Sequence, residues 1–314
     1  MLALTLMLLL GLDFGGDTFP WNSPKVIVLI VVGALMSVVF VYSEKRLAKY
    51  PLIPMTLFKN RSNIASILVT FLHGMVFIGP EYYMPLYFQS TKGASPLRSG
   101  VLLLPLIVFT ATAGIIAGVI IHRTGRYREL IWSGTVVLTI GLGLFVNFGA
   151  NSSTGMILGF ELVVGVGSGL LFEAPLIAIQ SLVAQDDVAT ATSTFSFARN
   201  LATSMSVIIG GVIFQNSMDL QAASLRAAGL SDDALELLSG KNAAANVMLS
   251  ETLTDPAKML AVKEAFAWSM RNMWILYTCL SFLTVIAGAF ITRQDLSKEH
   301  TETVTGIKKE PAGN

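Results

Sequence analysis

Charge is what this sequence has least of. Only 13% of its 314 residues are Asp, Glu, Lys or Arg, while 53% are hydrophobic. A soluble domain carries about 25% charged residues, so the chain lacks the ordinary means of staying in water. The formal net charge is +1, which provides no basic field for nucleic acid. Cys279 is the only cysteine and lies in an apolar run. An internal disulfide and a cysteine-based metal site are therefore excluded. His73, His122 and His300 are too far apart in sequence to suggest zinc. There is no Gly-x-x-x-x-Gly-Lys-[Ser/Thr] phosphate loop, no His-Glu-x-x-His and no Gly-x-Ser-x-Gly. Without a reactive constellation, neither an enzyme nor a cofactor is expected. Uphill movement by such a chain would draw on an ion gradient rather than on ATP bound here. No basic stretch precedes the first apolar run and no Ala-x-Ala site follows it, so it does not read as an ordinary signal peptide.

What the sequence has in abundance is long apolar runs. The mean hydropathy is +0.67. Eight apolar segments lie at 1–12, 26–42, 63–88, 100–121, 130–149, 155–180, 190–214 and 272–292. Crossing the hydrocarbon takes about 20 helical residues. The first segment is too short for that, and is expected to be the second half of a helix whose start was lost. The fold class expected is an all-α polytopic membrane protein.

The loops alternate in charge. Lys45, Arg46, Lys49, Lys59 and Arg61 follow the second segment, and Arg123, Arg126 and Arg128 follow the fourth. The tail carries Arg293, Lys298, Lys308 and Lys309. By the positive-inside rule these loops and the tail are cytoplasmic. The long connection 215–268 then lies outside, with Ser231 and Asp255 as N-caps of two short amphipathic helices. About 50 residues without disulfides make a marginal core, so no separate soluble domain is expected there. Asn151-Ser-Ser153 is a glycosylation sequon on the same side, too near the bilayer edge to expect modification. The chain divides into 1–61, a six-helix part 62–292 and a polar tail 293–314.

Ionisable groups within spans cost about 2.5–3.5 kcal/mol each at the bilayer centre, which makes them candidates for function. Glu173 stands alone among apolar neighbours and is the leading proton-titrating carboxylate. Glu81 and Glu161 lie nearer the outer ends of their segments, where water is expected. His73 is either a hydrogen-bonded structural group or a proton relay. Arg199 either neutralises a carboxylate such as Glu173 or reaches the cytoplasmic headgroups. Tyr82, Tyr83, Tyr87 and Gln89 surround the proline-broken part of segment three and are candidates to line a substrate path, with Gln180 and Asn200. Trp21, Trp132, Trp268 and Trp274 read as interfacial anchors. Gly165, Gly167, Gly169, Gly210 and Gly211 suit close helix packing.

Several stretches resemble a known family. Gly118-Val-Ile-Ile-His-Arg-Thr-Gly-Arg-Tyr-Arg128 is similar to a cytoplasmic loop motif of the major facilitator superfamily, in its C-terminal-half version. His122 stands at the motif's Asp and Tyr127 at a basic position. Gly118, His122, Arg123, Gly125, Arg126 and Arg128 would form a cytoplasmic gate loop. Gly16-Asp-Thr-Phe-Pro-Trp-Asn-Ser-Pro24, Tyr82-Tyr-Met-Pro-Leu-Tyr-Phe-Gln89, Ser95-Pro-Leu-Arg-Ser-Gly100 and Phe172-Glu-Ala-Pro-Leu-Ile-Ala-Ile-Gln180 add to it. So do Asp187-Val-Ala-Thr-Ala-Thr-Ser-Thr-Phe195, Arg199-Asn-Leu201 and Gly210-Gly-Val-Ile-Phe-Gln215. Together they resemble the fourteen-span drug:proton antiporter branch, in its fungal members, up to about Arg293. Glu173 departs from it, standing where that branch has Gln.

The resemblance implies the C-terminal six-helix bundle and about two central helices before it. The implied activity is proton-coupled efflux of small amphipathic organic or toxic compounds, in the plasma membrane or alternatively the vacuolar membrane. Alternating access needs two bundles, so the implied partner is the missing N-terminal bundle or a second copy of the chain. The competing expectation is a truncated, non-transporting membrane protein with a structural or regulatory role.

Overall fold

In hydrocarbon no water is available to backbone amides, so an apolar segment must satisfy them within itself as a helix. The computed structural model describes residues 2–15, 18–47 and 55–292. The polar tail 293–314, Gly16, Asp17 and the stretch 48–54 with Lys49 lie outside the described residues.

Among the described residues there is no strand, only an isolated bridge between Gly15 and Phe19. α1 (Leu2–Phe14) and α2 (Pro24–Arg46) come first, then α3 (Arg61–Lys92), α4 (Pro96–Thr124) and α5 (Tyr127–Phe145). α6 (Thr154–Leu170) is continued, after a break, by α7 (Ala174–Gln180). α8 (Val188–Leu220) leads to four short outer helices, α9 (Ala222–Ala227), α10 (Asp232–Leu237), α11 (Gly240–Ala245) and α12 (Leu249–Thr252). α13 (Pro256–Ala289) is the last described helix. Seven of the described helical segments are long and apolar enough to cross a membrane, counting α6 and α7 as one. α1, with 13 residues, reaches only about 20 Å at 1.5 Å per residue.

Helix ends follow local chemistry. The side chains of Asn60, Ser95 and Ser153 accept from the amides of Ser62, Arg98 and Met156 and so start α3, α4 and α6. α3 and α4 stop at Gly93 and Gly125, whose φ of 59° and 69° suits glycine.

Six helical segments make one bundle. α6 packs against α4 and α5, α3 against α8 and α13, and α13 closes the ring onto α5. α1 and α2 pair with each other, and α1 also touches α8. The approach of α6 to α4 depends on glycine. A Cβ on Gly165 would stand 2.7 Å from the Leu106 carbonyl oxygen, and one on Gly169 would meet that of Thr110. Backbones therefore touch with no side chain between them.

The outer connection is shorter than the expected 215–268. α8 runs to Leu220, and the last helix begins at Pro256 rather than near 272. Asp255 caps that helix, accepting from the Ala257 amide at 2.9 Å, instead of starting a separate short one. Ser231 does cap α10. Leu225, Leu230, Leu235 and Leu238 bury this outer cap against the bundle core. Lys263 and Glu251 pair at 2.7 Å, and Lys92 Nζ donates to the carbonyls of Ala150 and Ser152 at 2.7 and 2.6 Å. Trp274 is no interfacial anchor: it is fully buried against Phe145 and Tyr277.

The glycine contact yields a stability contrast. Gly169→Leu overpacks the α4–α6 contact and should cost about 1–3 kcal/mol, read as earlier thermal unfolding in detergent. Gly118→Ala, at a position open to 4 Å, should leave the transition where it is.

Candidate functional site

The break between α6 and α7 is dictated by Pro175, the second residue of α7. Its missing N–H leaves the Leu171 carbonyl without a helical donor. The chain tightens there, with the Leu171 and Phe172 amides reaching back to the Ser168 and Gly169 carbonyls at 3.1 Å. Two side chains from other helices close over the break. His73 of α3 places Nε2 3.1 Å from the Ser168 carbonyl oxygen and 3.3 Å from its hydroxyl. Arg199 of α8 donates through Nη2 to the Phe172 carbonyl. Its guanidinium lies 4.5 Å from the Phe172 ring centroid and 4.6 Å from that of Phe195. A helix interrupted inside a membrane is thus held by polar side chains from its neighbours.

This corrects two expectations and narrows one that was open. Arg199, expected either to neutralise a carboxylate such as Glu173 or to reach the headgroups, turns inward and holds a backbone break. Glu173 is not an enclosed carboxylate, because it sits exposed at the break where the chain turns outward. Glu161 is not at a watery helix end. It is 0% exposed, and neither carboxyl oxygen has a hydrogen-bond partner among the described residues. His73 is 1% exposed with Nδ1 equally without a partner. Glu81 is half-buried on α3.

The tyrosines divide. Tyr87 is fully buried and donates to the Gly149 carbonyl at 2.8 Å, which removes it from any path. Tyr83 is buried too and donates to the Val207 carbonyl. Deeper in the bundle, Tyr277 of α13 donates to the Ser206 carbonyl at 3.0 Å, and the Ser206 hydroxyl donates to the Met75 carbonyl. Tyr82 is 56% exposed. Tyr82, Tyr83 and Gln89 share a cavity of about 400 Å³ with Gly211, Phe214 and Gln215 of α8, closed at one side by Asp13 of α1. Gln89 also donates to the Ser99 hydroxyl at 3.3 Å.

The remaining candidates lie elsewhere. Gln180 ends α7 and donates to the Thr192 hydroxyl at 3.0 Å. Asn200 belongs to a polar stripe along α8, where Ser193, Ser196, Asn200 and Ser204 are all exposed at helical spacing. In the expected gate loop, Gly118 makes no close approach and Gly125 is the α4 cap. His122, Arg123 and Arg126 are exposed, while Arg128 stacks over Trp132 at 4.3 Å.

A family model described as Major Facilitator Superfamily matches residues 1–207. The chain belongs to the major facilitator superfamily. Among its relatives, the efflux pump dotC of Dothistroma septosporum is 38% identical over 304 residues, covering 97% of this chain and 52% of that protein. The MFS-type transporter ppz2 of Metarhizium majus is 39% identical over 308 residues, covering 98% and 53%. The efflux pump FUS6 of Gibberella fujikuroi is 31% identical, covering 96% and 54%. The chain spans about half the length of the curated relatives it matches, and the three named here are transporters by name. Within this superfamily member, Phe214 and Gln215 of the cavity stand in the Gly210–Gln215 stretch that resembles the family, whereas nothing local in the sequence marks Asp13 or the Ser206–Tyr277 pair.

The break predicts a specific cost. Arg199→Ala leaves the Phe172 carbonyl unpaired in a buried setting, worth about 1–3 kcal/mol. Detergent-solubilised protein should unfold correspondingly earlier, whereas Glu173→Gln should not change unfolding by more than a few tenths of a kcal/mol.

Proposed function

We propose that the chain forms one wall of a proton-coupled efflux transporter for small amphipathic organic compounds. The observation that carries this reading is the cavity of about 400 Å³ at α3 and α8, whose lining combines Tyr82, Tyr83 and Phe214 with Gln89 and Gln215. Ligand sites combine apolar lining with a few polar groups that fix orientation. The stripe Ser193, Ser196, Asn200 and Ser204 supports it further, since exposed polar groups at membrane depth belong against protein or water rather than lipid. A second bundle facing that stripe, from the same polypeptide or from a second copy of this chain, completes the passage. On this reading the chain is the C-terminal portion of a fourteen-span antiporter in the plasma membrane, α1 and α2 being the helices between the two bundles.

The test is efflux of a fluorescent amphipathic compound from cells carrying the full-length protein. Dissipating the proton gradient should abolish efflux; unchanged efflux overturns the coupling. Tyr82→Ala removes an aromatic contact worth about 0.5–1.5 kcal/mol, so the concentration for half-maximal efflux should rise about 2- to 12-fold.

A further inference from the structure

We propose that Glu161 is the proton-carrying group of this bundle, enclosed as a neutral carboxylic acid between α4, α5 and α6 and ionised only when that junction opens. The geometry is stringent. Glu161 is 0% exposed, and neither oxygen has a partner among the described residues. A carboxylate in such surroundings would keep its charge with neither water nor a donor to stabilise it, whereas the neutral acid is tolerated.

No neighbouring charge can compensate it. Between Ser99 and Ile121, α4 carries no titratable residue; Arg98, His122 and Arg123 lie at its ends. Between Leu130 and Val146 the α5 segment carries none either, with Tyr127, Arg128 and Glu129 at the cytoplasmic end. From α3, His73 meets α6 at Ser168, seven residues and thus about 10 Å inward of Glu161 on the same face. Glu81 is half-buried, Tyr83 and Tyr87 are committed to backbone carbonyls, Tyr82 faces the cavity, and Lys92 is engaged at the outer loop.

The α4–α6 junction lies beside Glu161. α4 and α6 meet backbone to backbone at Gly165 and Gly169, with the Cβ atoms of Phe109 and Ala113 against the two glycines. Gly165 lies against Leu106, Phe109 and Thr110. One turn outward, at the height of Glu161, α4 contains Pro105, which removes a helical hydrogen bond. When the contact opens, water reaches the carboxyl, the O–H bond breaks and the proton passes to that water. The resulting carboxylate cannot return to the closed junction. Reprotonation from water restores the neutral acid and permits closure.

The transport role rests on the proton-coupled reading above; the protonation state does not. Infrared difference spectroscopy on the full-length protein in lipid vesicles should show a protonated-carboxyl C=O band at neutral pH. Glu161→Gln, a neutral isostere of the acid, should remove that band, while Glu173→Gln leaves it. A band that survives Glu161→Gln, or no band in the unsubstituted protein, overturns the proposal. In transport, Glu161→Gln should still exchange substrate across the membrane but lose efflux driven by a proton gradient. Gradient-driven efflux retained by Glu161→Gln sinks the assignment and leaves proton coupling standing. Gradient-independent efflux by the unsubstituted protein, with the band present, sinks the coupling and leaves the buried acid standing.

Discussion

Everything in this structure answers to one constraint: within the hydrocarbon, a polar group must find its partner inside the protein. The backbone meets it by becoming helix. Where the helix fails, at Pro175, the donors come from elsewhere, with Arg199 from α8 and His73 from α3. The interruption in α6 therefore dictates which helices stand beside it. It also explains why an arginine is affordable at that depth: its guanidinium spreads over two phenylalanine faces while one nitrogen serves the carbonyl.

The same constraint separates the carboxylates by role. Glu173 sits where the chain leaves the helix and meets its surroundings, so its charge carries little penalty there. Glu161 sits where two backbones have been brought together by glycine, and nothing around it can share a charge. Close packing and isolation thus have one cause. The residues that let α6 approach α4 have no side chains with which to solvate what lies beside them.

Much of the fold was legible in sequence because its signals are local. Apolar runs announce helices, and Ser, Asn and Gly mark their ends. Membership of the major facilitator superfamily was legible too, from motifs such as Tyr82-Tyr-Met-Pro85. The start of α13 was not. Lys258, Lys263, Glu264 and Arg271 make its first half too polar to pass for a span, since a helix of 34 residues extends well beyond the bilayer. The depths of Glu161 and Glu173 were also misread. Apolar sequence neighbours surround both, but burial depends on which helix faces them and on whether the helix continues. Tyr87 failed as a path residue for a related reason. Its hydroxyl had an acceptor, Gly149, 62 positions away, which periodicity does not reveal.

The outer end of α3 is fastened to the α5–α6 loop by Tyr87 on Gly149 and by Lys92 on Ala150 and Ser152. Three bonds to consecutive parts of one short loop splint that end of α3. Its other end is tied as well, where the Ser62 hydroxyl accepts from the Thr292 amide at 3.1 Å. A helix moored at both ends is a strut, and its length sets the distance between the α5–α6 loop and the end of α13.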